Sequence, residues 1–214
     1  MNLRAHPDAT AFKSAAQQYC ALFQADPAEI DPWVESVLAA LAQVYAAAHR
    51  LPDVGISEDA PNTPEALNVT REEGGSVFGI VSRALGSQEF YWAYFDPSAP
   101  PDSNQAPVFQ SLADDLADIY RDLQPGVRAW ETGDDRYLEE ILFNWKTPNF
   151  GSHWGCHAVS AMRALHPIVF LRGVTQQGFP SLGLFAKRQL NSRRITFQAN
   201  NHPSACPFPP SSPD

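Results

Sequence analysis

Positive charge, cysteine and long apolar runs are all scarce in this chain. Its 15 lysines and arginines stand against 24 aspartates and glutamates, a net charge of −9 with the histidines neutral. Such a balance offers no field to draw in phosphodiester backbones or an anionic bilayer, so neither nucleic acid nor membrane is an expected partner. The three cysteines, Cys20, Cys156 and Cys206, are odd in number and never in CxxC spacing. This excludes a disulfide framework and a zinc ribbon and fits a reducing compartment. No apolar run approaches the roughly 18 residues of a membrane span, and Met1 to Pro7 leads into no apolar signal core. The expectation is a soluble, cytoplasmic protein. Glycine-rich phosphate loops and GxSxG elbows are missing too, which removes the P-loop and α/β-hydrolase classes.

What the chain does have is enough apolar material to fold. Hydrophobic residues make up 44% and aromatics 11% of its 214 residues, and a chain of this length can bury roughly 70% of its unfolded surface. Wholesale disorder is therefore excluded. The charge is unevenly spread: residues 1–166 hold 10 Lys and Arg against 23 Asp and Glu, whereas residues 167–214 hold 5 against 1 and 7 of the 19 prolines. Proline blocks helix by fixing φ and removing amide donors. Two parts are expected, a helical domain over 1–166 and an irregular, basic, Pro-rich tail over 167–214.

Within the first part, apolar residues recur at helical spacing. Phe12, Ala15, Ala16, Tyr19, Leu22 and Phe23 stripe one helix, and Trp33, Val37, Leu38, Leu41, Val44 and Tyr45 stripe a second that Asp31-Pro32 opens. Thr70 and Glu73 have capping-box spacing before a third helix ending at Gly86, which Gly74-Gly75 weakens by about 1 kcal/mol each against alanine. The aromatic segment Glu89 to Phe95 is read as a helical turn, because no neighbouring segment offers it a strand partner. Val108 to Gln124 reads as the strongest helix, stopped by Pro125-Gly126, and two more follow over Arg136 to Lys146 and His153 to Leu165. The fold class expected is all-α, a bundle or array of about six helices.

Chemistry concentrates at two places. At about 100° per residue, Leu112, Leu116, Ile119, Tyr120 and Leu123 form one stripe of the strongest helix, while Ser111, Asp114, Asp115, Asp118 and Asp122 form another beside it. Like charges at these spacings oppose the helix by a few tenths of a kcal/mol each, so either solvent tolerates them or something cationic offsets them. The candidates are a divalent ion or an arginine, with Arg121 and Arg163 the nearest in kind. The second place is His153-Trp154-Gly155-Cys156-His157. Two imidazoles one helical turn apart can share a metal, although the glutamate of HExxH is missing and no third ligand follows from spacing. Glycine at 155 points to a helix start or a close backbone approach. Cys156 points about 60° from His153 and 100° from His157 on a helix, a poor geometry for a nucleophile and its base. Trp33, Trp92, Trp130, Trp145 and Trp154 read most simply as core or groove-lining residues.

Tyr19-Cys20, Leu51-Pro52, Tyr91 with Phe95-Asp96-Pro97, the run Ser111 to Leu123, His153-Trp154-Gly155 with His157, and Arg163-Ala164-Leu165-His166 together resemble a bacterial family known as domain of unknown function 5063. The resemblance spans roughly Phe12 to His166 and is most specific in the aspartate helix and around His153. It implies an all-helical cytoplasmic bacterial protein and supplies no substrate and no catalytic residue. Residues 167–214 depart from the family's pattern.

Three functional expectations follow. The first is a non-catalytic helical module that binds a protein partner, since no complete catalytic constellation and no required cofactor is visible. The second is a metal-dependent hydrolase of a phosphate ester or nucleotide, with Asp115, Asp118, His153 and His157 around Mn, Fe or Zn and with Asp114, Asp122 and Trp154 as binding residues. The third is a polar network of the same aspartates and histidines that locks helix register. The second and third require tertiary packing to bring the aspartate helix face to face with the histidine pair.

Overall fold

The structure, a computed structural model, describes residues 2–94, 100 and 106–171; the expected Pro-rich tail lies outside them from residue 172 onward. Among the described residues the chain is mostly helical. Helices α1 (Pro7–Ala21), α2 (Ile30–Ala48) and α3 (Arg71–Leu85) precede a two-stranded antiparallel hairpin, β1 (Phe90–Ala93) and β2 (Val108–Ser111). Four helices follow: α4 (Leu112–Glu131), α5 (Leu138–Lys146), the single turn α6 (Asn149–Ser152) and α7 (Trp154–Phe170). The all-α class is thus confirmed, with one small sheet added.

Helix α4 is the axis of the fold, packing on α1, α3, α5 and α7. Its apolar stripe, Leu112, Leu116, Ile119 and Leu123, is wholly buried, and the core continues through Phe12 and Tyr19 of α1, Leu41 of α2, Trp145 of α5 and Trp154 of α7. Aromatic rings fill the junction of α1, α5 and α7: Phe12 lies 4.9 Å from the Trp145 ring and 6.0 Å from that of Trp154. The Trp154 indole N–H donates to the Trp145 carbonyl at 3.0 Å, and the Trp145 indole N–H to the Leu123 carbonyl at 3.3 Å. Both polar tips are therefore satisfied inside the core, as burial of an indole requires.

Local signals set several helix ends. Thr70 Oγ1 accepts from the Glu73 amide at 3.1 Å while Glu73 Oε2 accepts from the Thr70 amide at 2.9 Å, the full capping box. Gly86 closes α3 at φ +53°, a backbone region that side chains avoid. Gly155 sits in the first turn of α7, where a Cβ would lie 2.1 Å from the Phe150 carbonyl oxygen, so both the helix start and the close approach expected of this glycine are present.

Three elements depart from the sequence expectation. Residues 90–93 are strand and not a helical turn, because their partner arrives from further along the chain, in residues 108–111 that share the start of a helical pattern. Strand alternation then turns Phe90, Trp92 and Phe109 to one exposed face, with the Phe90 and Phe109 rings stacked at 5.1 Å. Trp92, expected as a core or groove-lining residue, is 63% exposed. Helix α4 starts only at Leu112, where Ser111 Oγ accepts from the amides of Ala113 and Asp114 at 3.1 and 3.3 Å. It also runs through Pro125-Gly126 to Glu131. An interior proline costs about 3 kcal/mol, but Val127 and Trp130 are buried beyond it, and each such side chain contributes about 1.5–3 kcal/mol. The burial outweighs the break. Helix α7 likewise passes Pro167 and ends at Phe170.

Two glycines in helices predict stability changes of opposite sign. A Cβ at Gly126 would meet the Trp145 ring at 2.5 Å, whereas one at Gly75 meets nothing within 4 Å. Gly126→Ala should lower stability by about 1–3 kcal/mol through overpacking, and Gly75→Ala should raise it by about 0.5–1 kcal/mol through helix propensity. Urea unfolding midpoints check both; equal shifts would contradict the packing of α4 on α5.

Candidate functional site

The aspartates of α4 are inside the protein. Asp115 and Asp118 are each only 5% exposed, and α7 lays His157 against them, with His153 just before that helix against Asp122. His153 is not within a helix, as expected, but is the bent residue between α6 and α7 at φ −137°, ψ −93°. The i,i+4 relation to His157 survives, and the two rings meet edge to face with centroids 4.9 Å apart.

Each imidazole is held by a carboxylate. His157 Nδ1 lies 2.7 Å from Asp115 Oδ1, and His153 Nδ1 lies 2.6 Å from Asp122 Oδ2. An ionised carboxylate can only accept, so both Nδ1 atoms are the protonated, donating nitrogens. Asp115 is itself oriented by the Tyr91 hydroxyl, which donates to its other oxygen at 2.5 Å. On the far side of His157, Nε2 faces Asp118 Oδ2 at 3.8 Å, beyond hydrogen-bond length, and both atoms are buried with no hydrogen-bond partner. Arg121 donates through Nη1 to the other oxygen of Asp118. Asp118, His153 and His157 thus each present one ligand-type atom, all within 4.8 Å of one another.

The electrostatics show a site rich in negative charge. The Asp122 carboxylate, against the opposing effect of burial, raises the His153 pKa above its ordinary 6.5. Asp114 is raised as well, first by burial and then by the charges of Asp118 and Asp115. Tyr91 is raised by burial and by Asp115, and Tyr19 by burial, Cys20, Asp115 and Asp118. Both phenols therefore remain donors, Tyr19 to the Leu116 carbonyl at 2.8 Å.

Of the residues expected here, Asp115, Asp118, Asp122, His153 and His157 are brought together. Asp114 lies half-buried beside them. Trp154, read both as a core or groove-lining residue and as a binding residue, is fully enclosed in the core by Phe12 and Phe150, which leaves it no surface for a ligand. Of the two arginines, Arg121 is the counter-charge to Asp118, and Arg163 is exposed. Sequence reasoning assigned no part to Tyr91, Glu89 or Gly74. Tyr91 reaches the site through strand alternation, pointing inward between exposed Phe90 and Trp92. Glu89, 3% exposed, accepts from Ser82 Oγ at 2.6 Å and from Ser111 Oγ at 2.8 Å, tying α3 to the start of α4. Gly74 gives Arg121 room, since a Cβ there would lie 2.6 Å from the guanidinium Nε. The sequence signals for them were slight: Tyr91 is among the residues that carry the family resemblance, and Gly74 stands out by the cost of glycine in the first turns of α3.

These shifts predict how stability depends on pH in the metal-free chain. A raised histidine pKa contributes stability that is complete below about 6.5 and is lost as pH climbs through the raised value. A raised Asp114 acts in the same direction, because its ionisation penalises the folded state. The melting temperature in chelator should therefore fall from pH 6 to 8.5, and Asp122→Asn should flatten that slope. The lowered carboxylates Glu73, Asp134 and Glu139 titrate in acid, below this window. A wild-type profile that is flat or rising would contradict the His153–Asp122 pairing.

Comparison with known proteins agrees with the sequence reading. No curated protein matches the chain. Among solved structures, the crystal structure of protein BF1032 from Bacteroides fragilis is similar at a TM-score of 0.64 and 23% identity, covering 78% of this chain and 96% of that one. At that identity the likeness shows a shared fold. The model of a family described as Domain of unknown function (DUF5063) matches residues 5–170, taking in α1 to α7 and the whole Asp and His cluster. The chain belongs to the DUF5063 family.

Proposed function

We propose that this is a divalent-metal protein whose centre is formed by Asp118, His153 and His157, and that its chemistry is hydrolysis by metal-activated water. The observation that carries the reading is the buried pair of Asp118 Oδ2 and His157 Nε2, facing each other at 3.8 Å and neither with a hydrogen-bond partner. With Nδ1 committed to Asp115, Nε2 is turned toward a carboxylate oxygen that it does not reach, an arrangement that a cation between them would complete. Two ligands about 2.1 Å from one ion and 3.8 Å apart subtend about 130°, within modest adjustment of tetrahedral. A water making bonds of about 2.8 Å to both would be held at an angle of about 85°, a poor bridge. The 4.8 Å limit on the full set means that one ligand closes in when the ion binds.

The surroundings support the same reading. Metal-bound histidines characteristically donate their other nitrogen to a carboxylate, which Asp115 does for His157 and Asp122 for His153. Asp115, expected as a ligand, acts in this reading as an orienting residue backed by Tyr91. Two imidazoles and one carboxylate favour Mn, Fe or Zn over Mg or Ca. Three protein ligands leave positions open for water, whose pKa such an ion lowers toward neutrality.

Titration calorimetry of the chelator-treated chain with Zn(II) or Mn(II) tests this. One equivalent per chain is expected, with Asp118→Asn and His157→Ala abolishing binding and Asp115→Asn weakening it by about 10–100-fold. Binding that survives in Asp118→Asn would remove the centre and leave the register lock.

A second reading, a protein-interaction module, is favoured by a separate observation, the exposed aromatic face of Phe90, Trp92 and Phe109. Contiguous aromatics of this kind are characteristic of binding hot spots. The variant Trp92→Ser, Phe109→Ser should keep its melting temperature and metal stoichiometry while losing any partner retained by the wild type on affinity chromatography. Equal retention by both would count against this face as the docking surface.

A further inference from the structure

We infer that the metal centre takes a phosphate group as its ligand, bound between the ion and the Arg121 guanidinium. This rests on the metal reading above and names the substrate class for it. Arg121 stands one turn beyond Asp118 on α4 and donates through Nη1 to Asp118 Oδ1, the oxygen opposite the one that faces His157. Its place is prepared from α3: a Cβ at Gly74 would lie 2.6 Å from Nε and 3.1 Å from Nη2, so only glycine leaves the guanidinium where it is. The side chain is still 42% exposed, which leaves donors open to solvent beside the centre.

For metal binding alone this arginine is a disadvantage. It repels a cation and competes with it for the same carboxylate. An anion reverses the sign. An ion with three protein ligands has open positions, one phosphate oxygen can fill one of them, and the remaining oxygens match the donor fork of a guanidinium. Asp115 and Asp122 are hydrogen-bonded to His157 and His153, which as metal ligands would carry no charge, so the positive charge facing an anion comes from the ion and Arg121. Asp114, Asp115 and Asp122 oppose an anion, and the ion and the guanidinium together have to outweigh them. A phosphate held by metal and arginine together is also the arrangement in which charge developing on its oxygens during hydrolysis is stabilised.

The test uses the full chain loaded with Mn(II) and inorganic phosphate as the probe, read by water-proton relaxation, since phosphate displaces Mn-bound water. A saturable fall in relaxation enhancement is expected for the wild type. Arg121→Gln should raise the phosphate Kd at least tenfold while binding Mn(II) as tightly or more tightly, and Arg121→Lys should fall between. Gly74→Ala, which displaces the guanidinium, should weaken phosphate and leave Mn(II) binding intact. A residue serving only as structural counter-charge would not move the two affinities in opposite directions. Mn(II) binding without a saturable phosphate response, or an unchanged phosphate Kd in Arg121→Gln, would overturn this inference alone. Failure of Mn(II) to bind would overturn the centre and this inference together.

Discussion

Two carboxylates in the interior of a helical fold set the terms for everything around them. Asp115 and Asp118 lie on α4, the helix that packs on four others, and water reaches little of either. A buried ionised group is tolerated only when hydrogen-bonded and paired. The rest of the site is what that constraint demands: His157 and Tyr91 on Asp115, Arg121 on Asp118, and His153 on the neighbouring Asp122. One carboxylate oxygen and one imidazole nitrogen are left over, aimed at each other. The functional reading grows from that remainder.

The scaffold explains how such a cluster is held still. Helix α7 is pinned behind the histidines by Trp154, whose indole is bonded to the Trp145 carbonyl, and by Gly155, which lets α6 and α7 touch backbone to backbone. Helix α3 is drawn to the start of α4 through Ser82, Glu89 and Ser111, and its Gly74 seats Arg121. The hairpin supplies Tyr91 from the third side. Each support is a packing or hydrogen-bonding feature outside the cluster, the kind of surrounding shell that fixes ligand orientation to within fractions of an ångström. The hairpin also gives the protein two faces of one strand pair, an inner tyrosine for the site and an outer aromatic patch, so the binding and metal readings share an element.

The amphipathic stripes of α1 and α2, the Thr70 capping box and the aspartate stripe were legible because each is a local pattern with a 3.6-residue period or a fixed cap spacing. So was the pairing of residue types, carboxylates with imidazoles, since both motifs carry an electrostatic cost or a ligand capacity that a bland surface would not need. The hairpin was not legible. Residues 90–93 look apolar without period, and residues 108–111 merge with the helix they precede, so only the pairing across the intervening loop reveals either as strand. Pro125 misled in the same way: its local penalty is real, but Val127 and Trp130 bury enough beyond it to carry the helix through.

The sequence by itself determined the helical class, the acidic charge, the aspartate face and the histidine spacing, because propensity, capping and periodicity act over a few residues and need no partner. The tertiary structure alone decided that Asp115 and Asp118 are buried, that each histidine is turned by its own carboxylate, and that Tyr91, Arg121 and Gly74 complete the cluster. Those outcomes depend on groups from α3, β1, α4 and α7 separated by as many as 83 positions, between Gly74 and His157, and meeting only when a shared core has formed. Burial is what turns a mildly unfavourable stripe of aspartates into a demand for partners, and burial is a property of the packed molecule.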